Sequence, residues 1–347
     1  MSDIESEADC KPLVSVIVPC YNGADYVCHA VRSALEQTYP HIEVAVVDDG
    51  STDGSADLLR SEFGDRIDVI VTENAGASAA RNTGLSATKG EFVQFLDADN
   101  VLTRHKIAVS VELMLREPET DLVFTALHEP KNHEFADESA FTEEELAATT
   151  ARMMWRAYDL VLPGTGIPAL ETGQPLYRRG ALVDRGGWDE ELTMLEDTEL
   201  ACRMALTGAV FRHVETVGVI YRDHPGERVT AGYGFDKEAY FRTVLKMIEL
   251  ARRHGRMSGE VERFSLRFLV WIAALECARH GRREHAARYL RVAREISPRL
   301  PGPAPFRAAA AVFGPLRVLG AVGALVNLSL RIAPRRTRAL FGIPEPD

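Results

Sequence analysis

Short apolar segments alternate with amphipathic segments along the first hundred residues of the chain. The apolar segments predict strands, which are Val14–Val18, Ile42–Val47, Ile67–Val71 and Glu91–Leu96. Residues at helical spacing lie between them and predict helices over Ala24–Gln37, from a cap at Asp53 or Ser55 to Phe63, and over Ala77–Ala87. Strands that alternate with helices in this way predict a parallel, doubly wound α/β sheet.

After residue 100 the alternation is less regular. Further strands are predicted at Leu122–Thr125, Pro175–Arg178 and Phe211–Tyr221, with a helix over Glu196–Thr207 that ends at Gly208. The segment His128–Glu145 is acidic and has no period, so we interpret it as a loop or lid. From Asp236 onward the pattern is almost entirely helical.

Polar residues gather where the predicted strands end. They are Tyr21 and Asn22 after the first strand, Asp48 and Asp49 after the second, Asn74 after the third, and Asp97 and Asp99 after the fourth. Ligands of doubly wound sheets bind outside the carboxyl ends of the strands. The sequence therefore predicts one binding site at this edge of the sheet.

Composition narrows the class of protein. Hydrophobic residues make up 46% and charged residues 26% of the 347 residues, which excludes wholesale disorder. The five cysteines are scattered without a C-x-x-C pair, which argues against a disulfide framework or a zinc ribbon. The acidic, polar N-terminus does not resemble a signal peptide, so we expect a cytoplasmic protein.

The net charge of −11 conceals an asymmetry along the chain. Residues 251–347 contain 18 Arg, no Lys and 7 acidic residues, so they carry +11 and the first 250 residues carry −22. An acidic domain excludes a broad nucleic-acid surface, and a phosphate-bearing ligand would need a metal ion to supply positive charge. The basic part favours an anionic surface as its partner.

The segment FLDADN places Asp97 and Asp99 on the same side of a strand end, separated by Ala98. Carboxylate oxygens in this arrangement suit Mg²⁺ or Mn²⁺ that bridges a diphosphate. The alternative is a solvated turn, because D-x-D is common by chance. The position of the motif after the fourth strand favours the metal site.

Three further positions have both a structural and a functional interpretation. The Asp49 carboxylate is suited to accept hydrogen bonds from the N–H of a pyrimidine base or from ribose hydroxyls, although the segment DDGSTDGS is also suited to cap a helix. Arg81 suits a phosphate oxygen or a surface ion pair. Asp197, beside Glu196, suits a general base that takes a proton from an acceptor hydroxyl, or a favourable charge at a helix start.

Taken together, these motifs resemble an inverting family 2 glycosyltransferase. The segments that carry the resemblance, in the family's order over Val14–Tyr221, are VSVIVPCYNGADYV, VVDDGSTDGS, ENAGASAARNTGL, KGEFVQFLDADN, GGWDEEL and LEDTELACRMALTG. The resemblance implies the GT-A fold, a Rossmann-like, mostly parallel sheet flanked by helices. It also implies inverting, metal-assisted sugar transfer from a nucleotide-sugar, commonly UDP-linked, to a glycan, lipid-linked or protein acceptor, with Mn²⁺ or Mg²⁺ as cofactor.

The resemblance further implies a role for each matching residue. Asp197 would be the catalytic base, and Trp188 and Glu196 would lie on the acceptor side. Asp99 and Asp97 would hold the metal, with His224 as a further metal ligand or diphosphate contact. The nucleotide-sugar would contact Pro19, Tyr21, Asn22, Asp49, Asn74, Gly76, Arg81, Asp97, Ala98 and Asp99.

The pattern divides the chain into a flexible N-terminus at 1–12, the GT-A domain at 13–235, a helical extension at 236–300 and an amphipathic basic helix and tail at 301–347. Within the tail, the uncharged stretch Val318–Leu330 is too short to span a bilayer. Because Arg335, Arg336 and Arg338 follow it, we interpret the tail as an in-plane helix on the inner face of the membrane. The alternative is a helix packed on protein.

Two other classes of protein stay open as alternatives. A nucleotidyltransferase of similar fold would show a Gly-rich basic loop after the first strand, where this chain has VPCYNGADY. A catalytically degenerate scaffold has no need for all of Asp49, Asp97, Asp99 and Asp197. A dinucleotide oxidoreductase is excluded because G-x-G-x-x-G does not follow the first strand.

Overall fold

The strands of the sheet coincide with the apolar segments of the sequence. In the computed structural model, which describes residues 11–128, 170–222, 237–255, 274 and 283–296, these strands belong to the first of two compact units. Their bounds are β1 Val14–Cys20, β2 Ile42–Asp48, β3 Asp68–Val71, β4 Phe92–Phe95, β5 Val101–Leu102, β6 Leu122–His128, β7 Pro175–Arg178 and β8 Phe211–Ile220. The seven predicted strands are confirmed, and β5 is an addition to them.

The helices of this unit lie between the strands. Their bounds are α1 Val27–Leu35, α2 Ser55–Phe63, α3 Ala77–Ala87, α4 Lys106–Arg116, α5 Arg179–Val183 and α6 Glu196–Leu206, with a 3-10 turn at Gly64–Arg66. The second unit contains α7 Lys237–Arg253 and α8 Arg283–Ile296, which agree with the helical pattern predicted after Asp236. No helix in the described parts of the chain is long and apolar enough to cross a bilayer.

The sheet is mixed but mostly parallel, with the strand order β3-β2-β1-β4-β7-β6-β8-β5. The first four strands in this order run parallel, as the alternation of strands and helices predicts. β7 is antiparallel to both of its neighbours, and β5 is antiparallel to β8. As a result, the carboxyl ends of β1, β2, β3 and β4 lie along one edge.

Apolar side chains cover both faces of the central strands. On β1, Val16 and Val18 belong to the core cluster that includes residues of α1 and α2, whereas Ile17 faces α3. The approach of α3 depends on Gly84, because a Cβ there would lie 2.3 Å from Ile17 Cγ2. This close packing fixes α3 against the sheet and therefore fixes Arg81, which α3 carries.

Candidate active site

The loops that follow β1 and β2 are tied together. Asn22, whose backbone is left-handed with φ +50°, donates its N–H to Ser51 Oγ at 2.9 Å, and its Oδ1 accepts from the N–H of Thr52 at 2.9 Å. The neighbouring Tyr21 side chain is 55% exposed, so its ring is accessible to a ligand. Pro19 lies within β1 and is partly buried.

Asp49 connects the end of β2 to the loop after β3. Its carboxylate is buried, and it accepts hydrogen bonds from the N–H of Ala75 at 2.9 Å and of Gly76 at 2.8 Å. Because these two bonds end on different oxygens, Asp49 fixes the loop that carries the exposed Asn74. Binding of a base or ribose by Asp49 stays a prediction.

The loop that contains Asp97, Ala98 and Asp99 lies beside the loop after β1. A Cβ on Gly23 would lie 3.5 Å from Ala98 Cβ, which shows how closely the two loops approach. The loop is closed by a bond from the Asn100 N–H to the Asp97 carbonyl at 3.1 Å. The polar residues after the four strands therefore form one continuous edge, as predicted.

Arg81 lies at the centre of the site and is only 4% exposed. Its Nη2 donates to Asp97 Oδ1 at 2.9 Å and to Thr172 Oγ1 at 3.3 Å, and its Nη1 donates to Glu196 Oε1 at 3.4 Å. Burial by itself lowers the pKa of Arg81, but the charges of Asp97, Glu196 and Asp197 raise it, so the guanidinium is a permanent cation. Arg81 and Glu196 therefore form an ion pair in the structure. Contact of Arg81 with a diphosphate stays a prediction.

Trp188 lies beneath Arg81 and not at the surface. Arg81 Cζ is 4.4 Å from the centroid of the indole, and the ring packs edge-on against Phe95 with the centroids 5.1 Å apart. A desolvated cation–π contact of this kind is worth about 2 kcal/mol. Since Trp188 is only 2% exposed, its ring does not form the expected wall of the acceptor side. The ring supports Arg81 instead, at a turn where Gly186 and Gly187 both have positive φ.

The start of α6 carries the predicted catalytic base. Asp197 Oδ1 accepts from the N–H of Thr198 at 2.6 Å and from its Oγ1 at 3.2 Å. Burial and the charge of Glu196 raise the pKa of Asp197 to about 7, although Thr198 and Arg81 oppose the shift. Leu195, which precedes the helix, has φ +57°, a backbone conformation that is rare for a bulky residue. A carboxylate with this pKa suits a general base at neutral pH.

The site carries more negative than positive charge. Burial raises the pKa of Asp97, Arg81 opposes this effect, and the charges of Asp99 and Glu196 add to it. The described residues contain no group of three or more His, Cys, Asp or Glu that could hold a metal ion unaided. Mg²⁺ is commonly held by one or two carboxylates together with substrate phosphates, and Asp97 and Asp99 fit that mode.

Some predicted residues lie outside the described parts of the chain. These are His224, nearly all of the predicted loop or lid His128–Glu145, and the basic tail 301–347. Conversely, two residues of the site were not predicted. Thr172 lies in a segment without a clear pattern, and Asn82 contacts Trp188 only because α3 packs beside the GGWDEEL turn.

Comparison with known proteins supplies the family. Residues 15–185 match the family model described as glycosyl transferase family 2. The chain carries a family 2 glycosyltransferase domain. The chain is 44% identical over 108 residues to TuaG of Bacillus subtilis (strain 168), which is named as a teichuronic acid biosynthesis glycosyltransferase. The match covers 30% of this chain and 43% of TuaG, so less than half of that relative is spanned.

Solved structures confirm the predicted fold of the glycosyltransferase domain. S. aureus TarS 1–349, in complex with UDP-GlcNAc, has a TM-score of 0.63 and 18% identity, with 92% of each chain covered. The mannosyltransferase PcManGT from Pyrobaculum calidifontis, in complex with GDP-Man and Mn²⁺, has a TM-score of 0.50 and 22% identity, with 90% of this chain and 84% of that chain covered. Both likenesses place the glycosyltransferase domain in the GT-A fold.

Proposed function

We propose that this protein transfers a sugar from a nucleotide-sugar, expected to be UDP-linked, to a hydroxyl group of a glycan, lipid-linked or protein acceptor with inversion. The observation that carries the proposal is the convergence of the strand-end loops with the start of α6, where Arg81 joins Asp97 to Glu196 beside Asp197. The family 2 domain supports it, and the family does not favour the nucleotidyltransferase or the scaffold. The TarS and PcManGT structures, which contain UDP-GlcNAc and GDP-Man, support a nucleotide-sugar as donor.

The donor would lie along the edge formed by the first three loops. The ring of Tyr21 would stack on the base, because this side chain is exposed. Asn22 and Asn74 would contact the ribose and diphosphate from loops that Ser51 and Asp49 hold in place. These loops are preorganised by hydrogen bonds within the chain, which reduces the entropy lost when the donor binds.

Asp97 and Asp99 would hold the divalent metal ion. A bound Mn²⁺ or Mg²⁺ supplies positive charge to the diphosphate that leaves. Arg81 holds Asp97 Oδ1 at 2.9 Å and so orients this carboxylate before the donor arrives. The PcManGT complex, which contains Mn²⁺, supports the use of such an ion.

Asp197 would take the proton from the acceptor hydroxyl. Its two hydrogen bonds with described residues both end on Oδ1, which leaves Oδ2 to accept from the acceptor. The hydroxyl oxygen would attack the anomeric carbon as the bond to the nucleotide diphosphate breaks on the opposite side. This single displacement inverts the anomeric centre and needs no covalent nucleophile on the protein.

Calorimetry with UDP-, GDP- and dTDP-sugars, with and without Mn²⁺, tests the donor site. We expect one donor to bind in a metal-dependent manner, and Asp99→Ala to abolish that dependence. The anomeric configuration of the transferred sugar, read by NMR, then tests inversion. The absence of binding by every donor in a folded sample would overturn the proposed function, and a retained configuration would overturn the single displacement.

A further inference from the structure

The turn that carries Trp188 is held against α3 by the side chain of Asn82. Asn82 Nδ2 donates to the Trp188 carbonyl at 2.9 Å, and Asn82 Oδ1 accepts from the Trp188 N–H at 2.9 Å. The same Nδ2 donates to Glu190 Oε1 at 2.8 Å. Asn82 follows Arg81 directly on α3, so the residue that fixes the turn is adjacent to the residue that the turn supports.

Gly187 permits this close approach. Its φ is +63°, and a Cβ at this position would lie 2.8 Å from Asn82 Oδ1. The Gly187 carbonyl also accepts from Arg203 Nη2 at 2.8 Å, and Arg203 pairs with Glu199 on α6 at 2.9 Å. The turn is therefore attached to α3 on one side and to α6 on the other.

The ring of Trp188 is the part of this turn that acts on Arg81. Arg81 Nε and Trp188 Nε1 are both buried and have no hydrogen-bond partner among the described residues. Hydrogen bonding of the indole N–H therefore does not explain why a Trp is buried at position 188. The part of Trp188 that contacts the guanidinium is its aromatic face. The bonds of Arg81 to Asp97 and Glu196 use only its Nη atoms, so the ring supplies the contact that fixes the plane of the group.

We propose that Asn82 and Trp188 are positioning residues that hold Arg81 in the orientation in which it joins Asp97 to Glu196. Arg81 thereby fixes the position of the loop after β4 relative to the start of α6. The catalytic consequence rests on the proposed function, because these two elements carry the metal-binding carboxylates and the base. The contact between Trp188 and Arg81 does not depend on the proposed function.

The first test compares Trp188→Leu with Trp188→Phe. Leu keeps an apolar side chain but removes the aromatic face, so we expect kcat to fall by about 10- to 100-fold. Phe restores a face beneath the guanidinium, and we expect it to recover most of this loss. Phe92→Leu is the matched control, because Phe92 is also buried and lies 5.2 Å from Arg178 Cζ, outside the site. It should lower Tm comparably and leave kcat within about twofold.

The second test asks whether Trp188 acts through Arg81. In an Arg81→Lys background, Trp188→Leu should lower kcat by no more than about twofold, because the planar group that the ring holds is already absent. The proposal would be overturned if Trp188→Leu lowered kcat as much in the Arg81→Lys background as it does in the wild type. So would a loss in Phe92→Leu that equals the loss in Trp188→Leu, because both results indicate a merely structural role.

A stability cycle separates this inference from the proposed function. Denaturant unfolding of the wild type, Trp188→Leu, Arg81→Lys and the double variant measures their coupling without any donor. We expect the two losses to be non-additive by at least about fivefold in the unfolding equilibrium constant. Additive losses would overturn the positioning role even if sugar transfer is observed. Intact coupling in a protein that transfers no sugar would overturn the proposed function alone.

Discussion

The Asp197 carboxyl lies under several opposing influences. Burial and the adjacent Glu196 favour its neutral form, whereas the Thr198 N–H and the charge of Arg81 favour its ionised form. The resulting pKa of about 7 leaves Asp197 ionised at slightly alkaline pH and still basic enough to accept a proton. At the residue scale, therefore, the neighbours of Asp197 determine the pH range in which it ionises.

The first prediction concerns the pH dependence of transfer. Because the base must be ionised, we expect kcat/KM to fall about tenfold per pH unit at pH well below 7. Glu196→Gln removes a charge that raises the pKa of Asp197, so the acid limb should move to lower pH. Glu62→Gln, which alters an exposed pair with Arg32 outside the site, is the control. An acid limb of the wild type below pH 5 would contradict the assignment of the base.

The second prediction concerns Asp197→Asn. We expect donor binding to persist and transfer to fall by about 10²- to 10⁴-fold, the usual contribution of a general base. The folded state raises the pKa of Asp197 from 3.8 to about 7, so ionisation of this group destabilises the fold as pH rises through this range. Asn avoids that cost, so at pH 8 the variant should be more stable than the wild type, by up to about 4 kcal/mol for a shift of this size, and most of this gain should be lost by pH 4.

Urea unfolding at pH 8 and pH 4, with calorimetry of donor binding, checks both parts of this prediction. Normal turnover by the variant would remove Asp197 from the role of base. A variant that is less stable than the wild type at pH 8 would instead contradict the raised pKa. The two outcomes are independent, because one concerns the reaction and the other the folded protein alone.

Sequence patterns locate these residues but not their partners. Asp97 and Asp197 were predicted because each lies at the end or start of an element with a clear pattern. The burial of Arg81 was not predicted, since a guanidinium in isolation suits a phosphate or a surface ion pair equally well. Its contacts with Trp188 and Glu196 join residues more than a hundred positions apart, and only the packing of α3 creates them.

At the scale of elements, local pattern succeeds where one face of the element is clearly apolar. The bounds of α3 and β7 agree with the prediction, and the other predicted strands differ by a few residues at their ends. α4 was missed although its buried residues Ile107, Val111 and Met114 recur at helical spacing. β5 has only two residues, and it is a strand because it pairs with β8, not because its own sequence has a strand pattern.

The third prediction concerns the loop after β3. Asp49→Ala removes the acceptor of two backbone N–H groups, at Ala75 and Gly76, so we expect a loss of about 1–3 kcal/mol in stability and weaker donor binding. Asp57→Ala on α2 removes an acid whose side chain is 91% exposed, and it should have little effect on either. Hydrogen exchange at the two amides checks the cause. Unchanged protection of both amides in Asp49→Ala would contradict the role of Asp49 in fixing the loop.

At the scale of the whole molecule, the charged residues divide the chain into an acidic part and a basic part. The family 2 domain lies within the acidic first 250 residues, and the residues that follow carry +11. An acidic site that handles a diphosphate depends on a cation, whereas a basic segment is attracted to anionic surfaces. We propose from this asymmetry that the protein works at the cytoplasmic face of a membrane.

The last prediction tests that proposal with the full chain. Each Arg near an anionic bilayer contributes about 1 kcal/mol, so Arg335→Gln, Arg336→Gln and Arg338→Gln together should weaken binding to phosphatidylserine vesicles by about 100-fold. Vesicle flotation measures this, and raised salt should weaken the binding of the wild type in the same way. The matched control replaces three exposed arginines of the acidic part, Arg60, Arg104 and Arg116, by Gln. Because both triple variants lose the same net charge, weakening in the tail variant alone would locate the membrane contact. Equal weakening in both, or in neither, would instead favour a tail that packs on protein.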